Sequence, residues 1–192
     1  MPWKPDYLTA VQAAEFVHAT SASEAELATW CTAASRAIDN RCNRQFGKTD
    51  GPVVRTYRRP AAYDRVSGLW LLEVDDVQDV TGLTIGGVAY ADTGATLLPD
   101  NAAADGVPYE RLGFTDAPAG PVLVAAIWGW SAVPAQVVAA SKLQVSRWAS
   151  RRNSPYGIAG SPSDGSEMRL LARLDPDVHT TLAGLARRRR VG

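Results

Sequence analysis

The chain has 192 residues, 46% hydrophobic and 21% charged, with 20 acidic and 20 basic side chains and a formal net charge of zero. These totals fit a folded globular chain of one domain and exclude a low-hydrophobicity disordered one. No apolar run approaches the roughly 18 residues of a membrane span, and the start, "MPWKPDYLTA", lacks a charged-then-apolar leader pattern. Cys31 and Cys42 fall in one expected helix, about 16 Å apart at about 1.5 Å rise per residue, too far to bridge. Synthesis in a cytoplasm fits that thiol usage.

In chain order, residues 8–18 predict a short helix with Thr9 as N-cap and Val11, Ala14, Phe16 and Val17 on its apolar side. A stronger helix follows. Ser23 and Glu26 form an S-x-x-E capping box, then Leu27, Trp30, Cys31, Ala34, Ile38 and Cys42 repeat as one stripe, with Gly47 as the stop. Residues 50–130 change character to short segments rich in valine, threonine and aromatics, broken by glycine and proline. Gly86–Gly87 is a hairpin signal between Leu83-Thr84-Ile85 and Val88-Ala89-Tyr90. A long helix is expected from Ser131 and Pro134 to about Arg152, then a turn-rich loop, then a last helix capped by Asp175 with Pro176 in its first turn.

These elements predict an α+β chain: a helical core of about four helices with a small antiparallel β unit inserted. The expected divisions are 1–49 for the amino-terminal helices, 50–130 for the β unit, 131–153 for the long core helix and 154–192 for the loop and closing segment.

The net charge of zero hides an asymmetry. Residues 60–110 hold nine acids and one base, Arg65, whereas residues 141–192 hold ten bases and four acids. Opposite ends meeting differently charged partners is the reading that follows. The stretch "LLEVDDVQD" concentrates Asp75, Asp76 and Asp79 behind Glu73. A calcium or magnesium site needs converging oxygens, and the stretch matches no D-x-[DN]-x-[DN]-G loop, so a solvated strand end available to an interface is expected. "FGKTDG" lacks the first glycine of a phosphate-binding loop, since that position is Cys42. His18 and His179 read as surface residues, and no G-x-S-x-G, H-E-x-x-H or C-x-x-C occurs. No catalytic residue, metal ligand or cofactor site is therefore expected. Trp128 and Trp130 share a parity suited to one packed pair, and Trp3 and Tyr7 suit anchoring on a neighbour. The four consecutive residues Arg187, Arg188, Arg189 and Arg190 suit an acidic partner or nucleic acid.

"YLTAVQAAEFV", the helix ending "AIDNRCNRQFG", "AAIWGWSAVPAQVVAASKLQVSRWASRRNSPYGIAG" and "MRLLARLDPDVHTTLAGLARR" together resemble the head–tail connector (adaptor) proteins of long-tailed double-stranded-DNA bacteriophages. The resemblance implies a structural virion protein without enzymatic activity or cofactor. It implies a ring of copies of itself, commonly twelve, beneath the portal protein and above a head-closure (stopper) protein, with genomic DNA passing through the channel. The place implied is the virion neck, after synthesis in the bacterial host. Carried over, the closing segment with Arg173, Asp175, Arg187, Arg188, Arg189 and Arg190 is the portal-docking arm, which "SPYGIAGSPSDG" lets reach out of the domain. Trp3, Tyr7, Asp75, Asp76, Asp79, Arg151 and Arg152 are the candidate inter-subunit contacts. The competing expectation is a DNA-binding module using the basic closing segment.

Overall fold

The stripe of Leu27, Cys31, Ala34, Ile38 and Cys42 is buried along one face of a helix, α2 (Glu24–Cys42), in the computed structural model of the chain. The structure describes residues 3–17, 22–152, 158–159, 168–169 and 176–187. His18, Arg173, Asp175, Arg188, Arg189, Arg190 and most of the linking loop lie outside the described residues. The chain divides into two units: a helical one of Asp6–Gln45 with Val133–Arg189, and a β unit of Phe46–Ala132 with residues 3–5.

In the helical unit, the predicted capping box forms at the start of α2. Glu26 N–H donates to Ser23 Oγ at 3.3 Å, and Ser23 N–H donates to Glu26 Oε2 at 2.8 Å. The helix ends at Asn43, not at Gly47: Asn43 takes the left-handed conformation (φ 50°) and its N–H closes on the Asp39 carbonyl. Asparagine adopts this conformation more readily than most residues, so the stop comes one turn early. The preceding helix, α1 (Ala10–Val17), starts with a second reciprocal cap, Thr9 with Gln12, at 3.2 and 3.0 Å. It buries Ala13 and packs Val17 against the same cluster but leaves Val11 and Phe16 exposed, so only part of the expected side faces inward. At eight residues it offers only a narrow contact, centred on the small, buried Ala13.

After the β unit, α4 (Ala135–Arg152) buries Val137, Ala140, Ser141, Gln144, Val145 and Ala149. A last short helix, α5 (Pro176–Thr181), buries Val178, and Leu182 beyond it is also fully buried. A four-residue helix, α3 (Ala102–Asp105), falls within the β unit.

The β unit is where the expected architecture fails. Among the described residues the chain forms five α-helices and two four-stranded antiparallel sheets, so the β part is larger than a small inserted unit. Its strands are β1 (Val53–Tyr57), β2 (Ala62–Asp64), β3 (Leu69–Val77), β4 (Thr84–Ile85), β5 (Val88–Ala89), β6 (Thr96–Leu98), β7 (Tyr109–Phe114) and β8 (Val122–Ala126). One sheet runs β1-β8-β4-β5 and the other β2-β3-β7-β6. A separate two-residue pair, β9 (Ile158–Ala159) with β10 (Met168–Arg169), follows α4. The hairpin expected at Gly86–Gly87 forms between β4 and β5, with φ of 60° and 85° at the two glycines.

Both sheets bury one face in a shared core of Leu72, Val74, Leu112, Val122, Val124 and Trp128. That common core makes them one body instead of a flap on a helical domain. The sheets join at β3. Its register with β7 shifts between Glu73 and Val77, a bulge that bends the strand. Val77 then faces both Tyr109 of β7 and Trp128 beyond β8. Gln78 N–H donates to the Ile127 carbonyl at 2.9 Å, and on the other flank Thr49 N–H donates to the Trp128 carbonyl at 2.9 Å.

Gly129 sits in the middle of this junction with φ 116°, and a Cβ there would lie 1.9 Å from the Gly47 carbonyl oxygen. No side chain fits without moving one backbone away from the other. Gly129→Ala is therefore expected to cost about 3 kcal/mol or more in urea unfolding. Gly51→Ala, where a Cβ meets nothing, should stay within about 0.5 kcal/mol. Equal costs for the two would refute the junction as the tight point of the β unit.

Candidate interaction surfaces

The three aspartates of "EVDDVQD" do not converge. Asp76 is 5% exposed and accepts a hydrogen bond from Trp130 Nε1 at 3.1 Å. Asp75 pairs with the Arg55 guanidinium at 2.8 Å and accepts from the Tyr57 hydroxyl at 2.9 Å. Burial, reinforced by the Asp75 carboxylate, raises the Tyr57 phenol well above its ordinary range, so it stays a donor. Asp79 closes a local turn by accepting from Thr81 N–H at 2.8 Å. Strand alternation and the bulge send neighbouring side chains to different surroundings. Among the described residues no group of three or more His, Cys, Asp or Glu is placed to hold a metal ion.

Trp3 packs within the β unit. The Arg55 guanidinium lies 4.8 Å from the Trp3 ring centroid and 4.5 Å from that of Trp128, a cation between two indole faces. Trp128 also tilts against Tyr57, while Trp130 tilts against Phe46, so the two tryptophans take different partners. Tyr7 is 4% exposed in the helical unit, where its N–H donates to Ser35 Oγ at 2.9 Å and its hydroxyl donates to Asp39. Tyr7 and Asp76 thus face the chain's own interior. Arg152 is exposed and pairs with Glu26 at 3.1 Å, and Arg151 is half-buried beside it in α4. Hydrogen bonds from the Ser23 N–H and hydroxyl, ahead of the Arg152 charge, hold the Glu26 carboxyl below its usual range.

The closing segment is tied to the helical unit at its last described residue. Arg187 N–H donates to the Cys42 carbonyl at 2.8 Å, and Asn43 Nδ2 donates to the Arg187 carbonyl at 3.0 Å. Cys42 lies in the last turn of α2, so its carbonyl has no intrahelical partner and takes one from the chain's end. Arg41 Nε donates to His179 Nε2 at 2.7 Å, a second tie to α5. Both of these hydrogen bonds run through the Arg187 backbone.

Sequence reasoning missed one surface. A groove of about 560 Å³ opens on the β unit between the β1–β2 connection and the outer face of β3 and β7. Arg58, Arg59 and Arg111 rim it, Tyr63 and Leu71 supply apolar lining, and Glu73 lies directly across from Arg111 in the ladder. The signal in the sequence was the adjacent pair Arg58–Arg59 before Pro60. Their sharing one groove with Arg111 depends on the β3–β7 pairing across some forty residues, which periodicity does not reveal.

Among the described residues no helix is long and apolar enough to cross a membrane. If the aspartates are structural, Asp76→Ala strands the buried Trp130 N–H and should cost about 1–3 kcal/mol in denaturant melts. Asp79→Ala should cost about 0.5 kcal/mol, and millimolar calcium or magnesium should leave the melting temperature of the native chain unchanged. A metal-induced rise that Asp79→Ala abolishes would overturn that account. No family model matches the chain, and no curated protein matches it.

Proposed function

We propose that this chain is the ring-forming head-to-tail adaptor of a long-tailed double-stranded-DNA bacteriophage, a structural subunit of the virion neck. It assembles as a ring of about twelve copies, seats beneath the portal, receives the head-closure protein below and leaves a channel for the genome. The observation that carries this reading is the gathering of its resembling segments. The sequence stretches that look like the adaptor family are separated by some eighty residues, yet α1, α2, α4 and α5 pack as one helical unit. Leu8, Leu27, Cys31 and Val145, drawn from three of those stretches, lie in one buried cluster. Segments that share a fold with a family are expected to reunite in this way even when a different β part separates them.

The acidic and basic regions fit the same role. A ring brings unlike patches of identical subunits together, and complementary charge sets their orientation and excludes wrong pairings. The portal-docking arm in this reading is the closing segment with Arg173, Asp175 and Arg187 to Arg190, of which Arg187 is held through its backbone at the end of α2.

The test is the particle mass and electron-microscope image of the purified chain, alone and mixed with the portal ring of the same phage. The expected result is a closed ring coaxial with the portal at low salt, weakening as salt screens the charges. A chain that binds duplex DNA with steep salt dependence and forms no ring with portal would overturn it. Replacing Arg187, Arg188, Arg189 and Arg190 by alanine should weaken portal association about tenfold or more while leaving the melting temperature in place. Unchanged association would remove the arm from the account.

A further inference from the structure

The two sheets of the β unit are charged oppositely at their two edges, and the topology dictates it. Strands β1 and β2 are edge strands, one of each sheet, and the connection between them carries Arg58 and Arg59. Strands β5 and β6 are the opposite edge strands of the same two sheets. The connection from β5 to β6 carries Asp92, and the chain leaving β6 carries Asp100 and Asp105. Across a four-stranded sheet the edges are three interstrand spacings apart, about 14 Å. One end of the β unit is therefore basic and the other acidic.

Both ends have charges to spare. In the groove, Arg111 has Glu73 opposite it in the ladder and lowers the Asp64 carboxyl from nearby, behind the hydrogen bonds from Ser67. Arg58 and Arg59 are exposed, and their guanidinium groups have no hydrogen bond or ion pair among the described residues. Asp92, Asp100 and Asp105 are likewise exposed, and among the described residues their carboxylates have no partner. Two unmatched cations at one edge and three unmatched anions at the other are complementary between molecules. No single β unit can bring its own two edges together.

We propose that the Arg58–Arg59 edge of one copy docks on the Asp92–Asp100–Asp105 edge of a second copy, so that β units associate head to tail. The occupant of the arginine groove is thus a neighbouring copy of this chain. The groove sets Asp64 and Glu73 beside its arginines, so it suits a segment with a few spaced carboxylates better than the continuous line of phosphates of duplex DNA. The contact is heterologous: each copy offers one basic and one acidic edge, and it closes into a ring when the rotation per subunit permits. It rests on the adaptor reading only for that closure.

The test uses the full chain and two charge-reversed variants, Arg58→Glu/Arg59→Glu and Asp92→Lys/Asp100→Lys, followed by sedimentation at low salt. All four positions are exposed, so both variants should melt like the native chain. Each variant alone should lose self-association about a hundredfold, since it sets like charges face to face. An equimolar mixture should assemble again, because each reversed edge now meets an opposite charge on the other variant. The proposal is overturned if either variant assembles as the native chain does, if mixing restores nothing, or if the native chain never self-associates. It is also overturned if Arg58→Glu/Arg59→Glu abolishes duplex-DNA binding while leaving self-association intact. Rings on the portal that survive both reversals would remove this contact and leave the adaptor reading standing. Open chains that obey the charge swap but ignore the portal would do the reverse.

Discussion

The backbone crossing at Gly129 is the constraint on which the β unit depends. There the strand leaving β8 is flanked by residues 47–49 on one side and by the end of β3 on the other, with hydrogen bonds of 2.6–3.0 Å to Asp76 and Gly47. The approach to Gly47 leaves no room for a Cβ. This crossing lets Val77 at the end of β3 pair with Tyr109 in its own sheet and bridge to Trp128 beyond β8, which closes a common core over Trp128. It also decides which strands remain at the edges. Interior strands β8, β4, β3 and β7 are paired on both sides, so β1, β2, β5 and β6 face outward, and the β1–β2 connection, the β5–β6 connection and the chain leaving β6 hold the unmatched charges. The fold constraint and the proposed assembly surface are thus linked through strand order.

Local features of the fold were legible in the sequence because their causes are local. The Ser23–Glu26 box, the stripe down α2, Pro176 opening α5 and the Gly86–Gly87 hairpin all express interactions within a few residues. The scale of the β part was not legible. Its strands pair β1 with β8 and β3 with β7, across dozens of residues, and a strand pattern carries no record of its partner. The short strands β4, β5 and β6, of two or three residues, left too little alternation to distinguish two sheets from one small unit. Asn43 stopping α2 ahead of Gly47 shows the same limit at small scale, since two residues competed for one left-handed position.

The candidate surfaces were legible in composition and illegible in placement. Asp75, Asp76 and Asp79 look like one cluster in a line of text, and strand alternation, the bulge in β3 and the turn after it distribute them to Arg55, Trp130 and Thr81. Arg55 reads as one charge in "VVRTYRR", yet it ends between two indoles contributed by positions 3 and 128. The charge split on which the proposed assembly rests is also finer than the split between acidic middle and basic end. It lies inside the β unit, between two connections that the sequence places about thirty residues apart and the sheets place at opposite edges. A formal net charge of zero then describes a polar object, in which each copy can satisfy the next.

A density map of the assembled particle, fine enough to trace backbone between adjacent subunits, is the most direct measurement of this account. It should show the β1–β2 connection of each copy seated against the β5–β6 side of the next, repeated identically around the axis. Subunits related by two-fold axes, with like edge against like edge, or β units standing clear of one another, would contradict it.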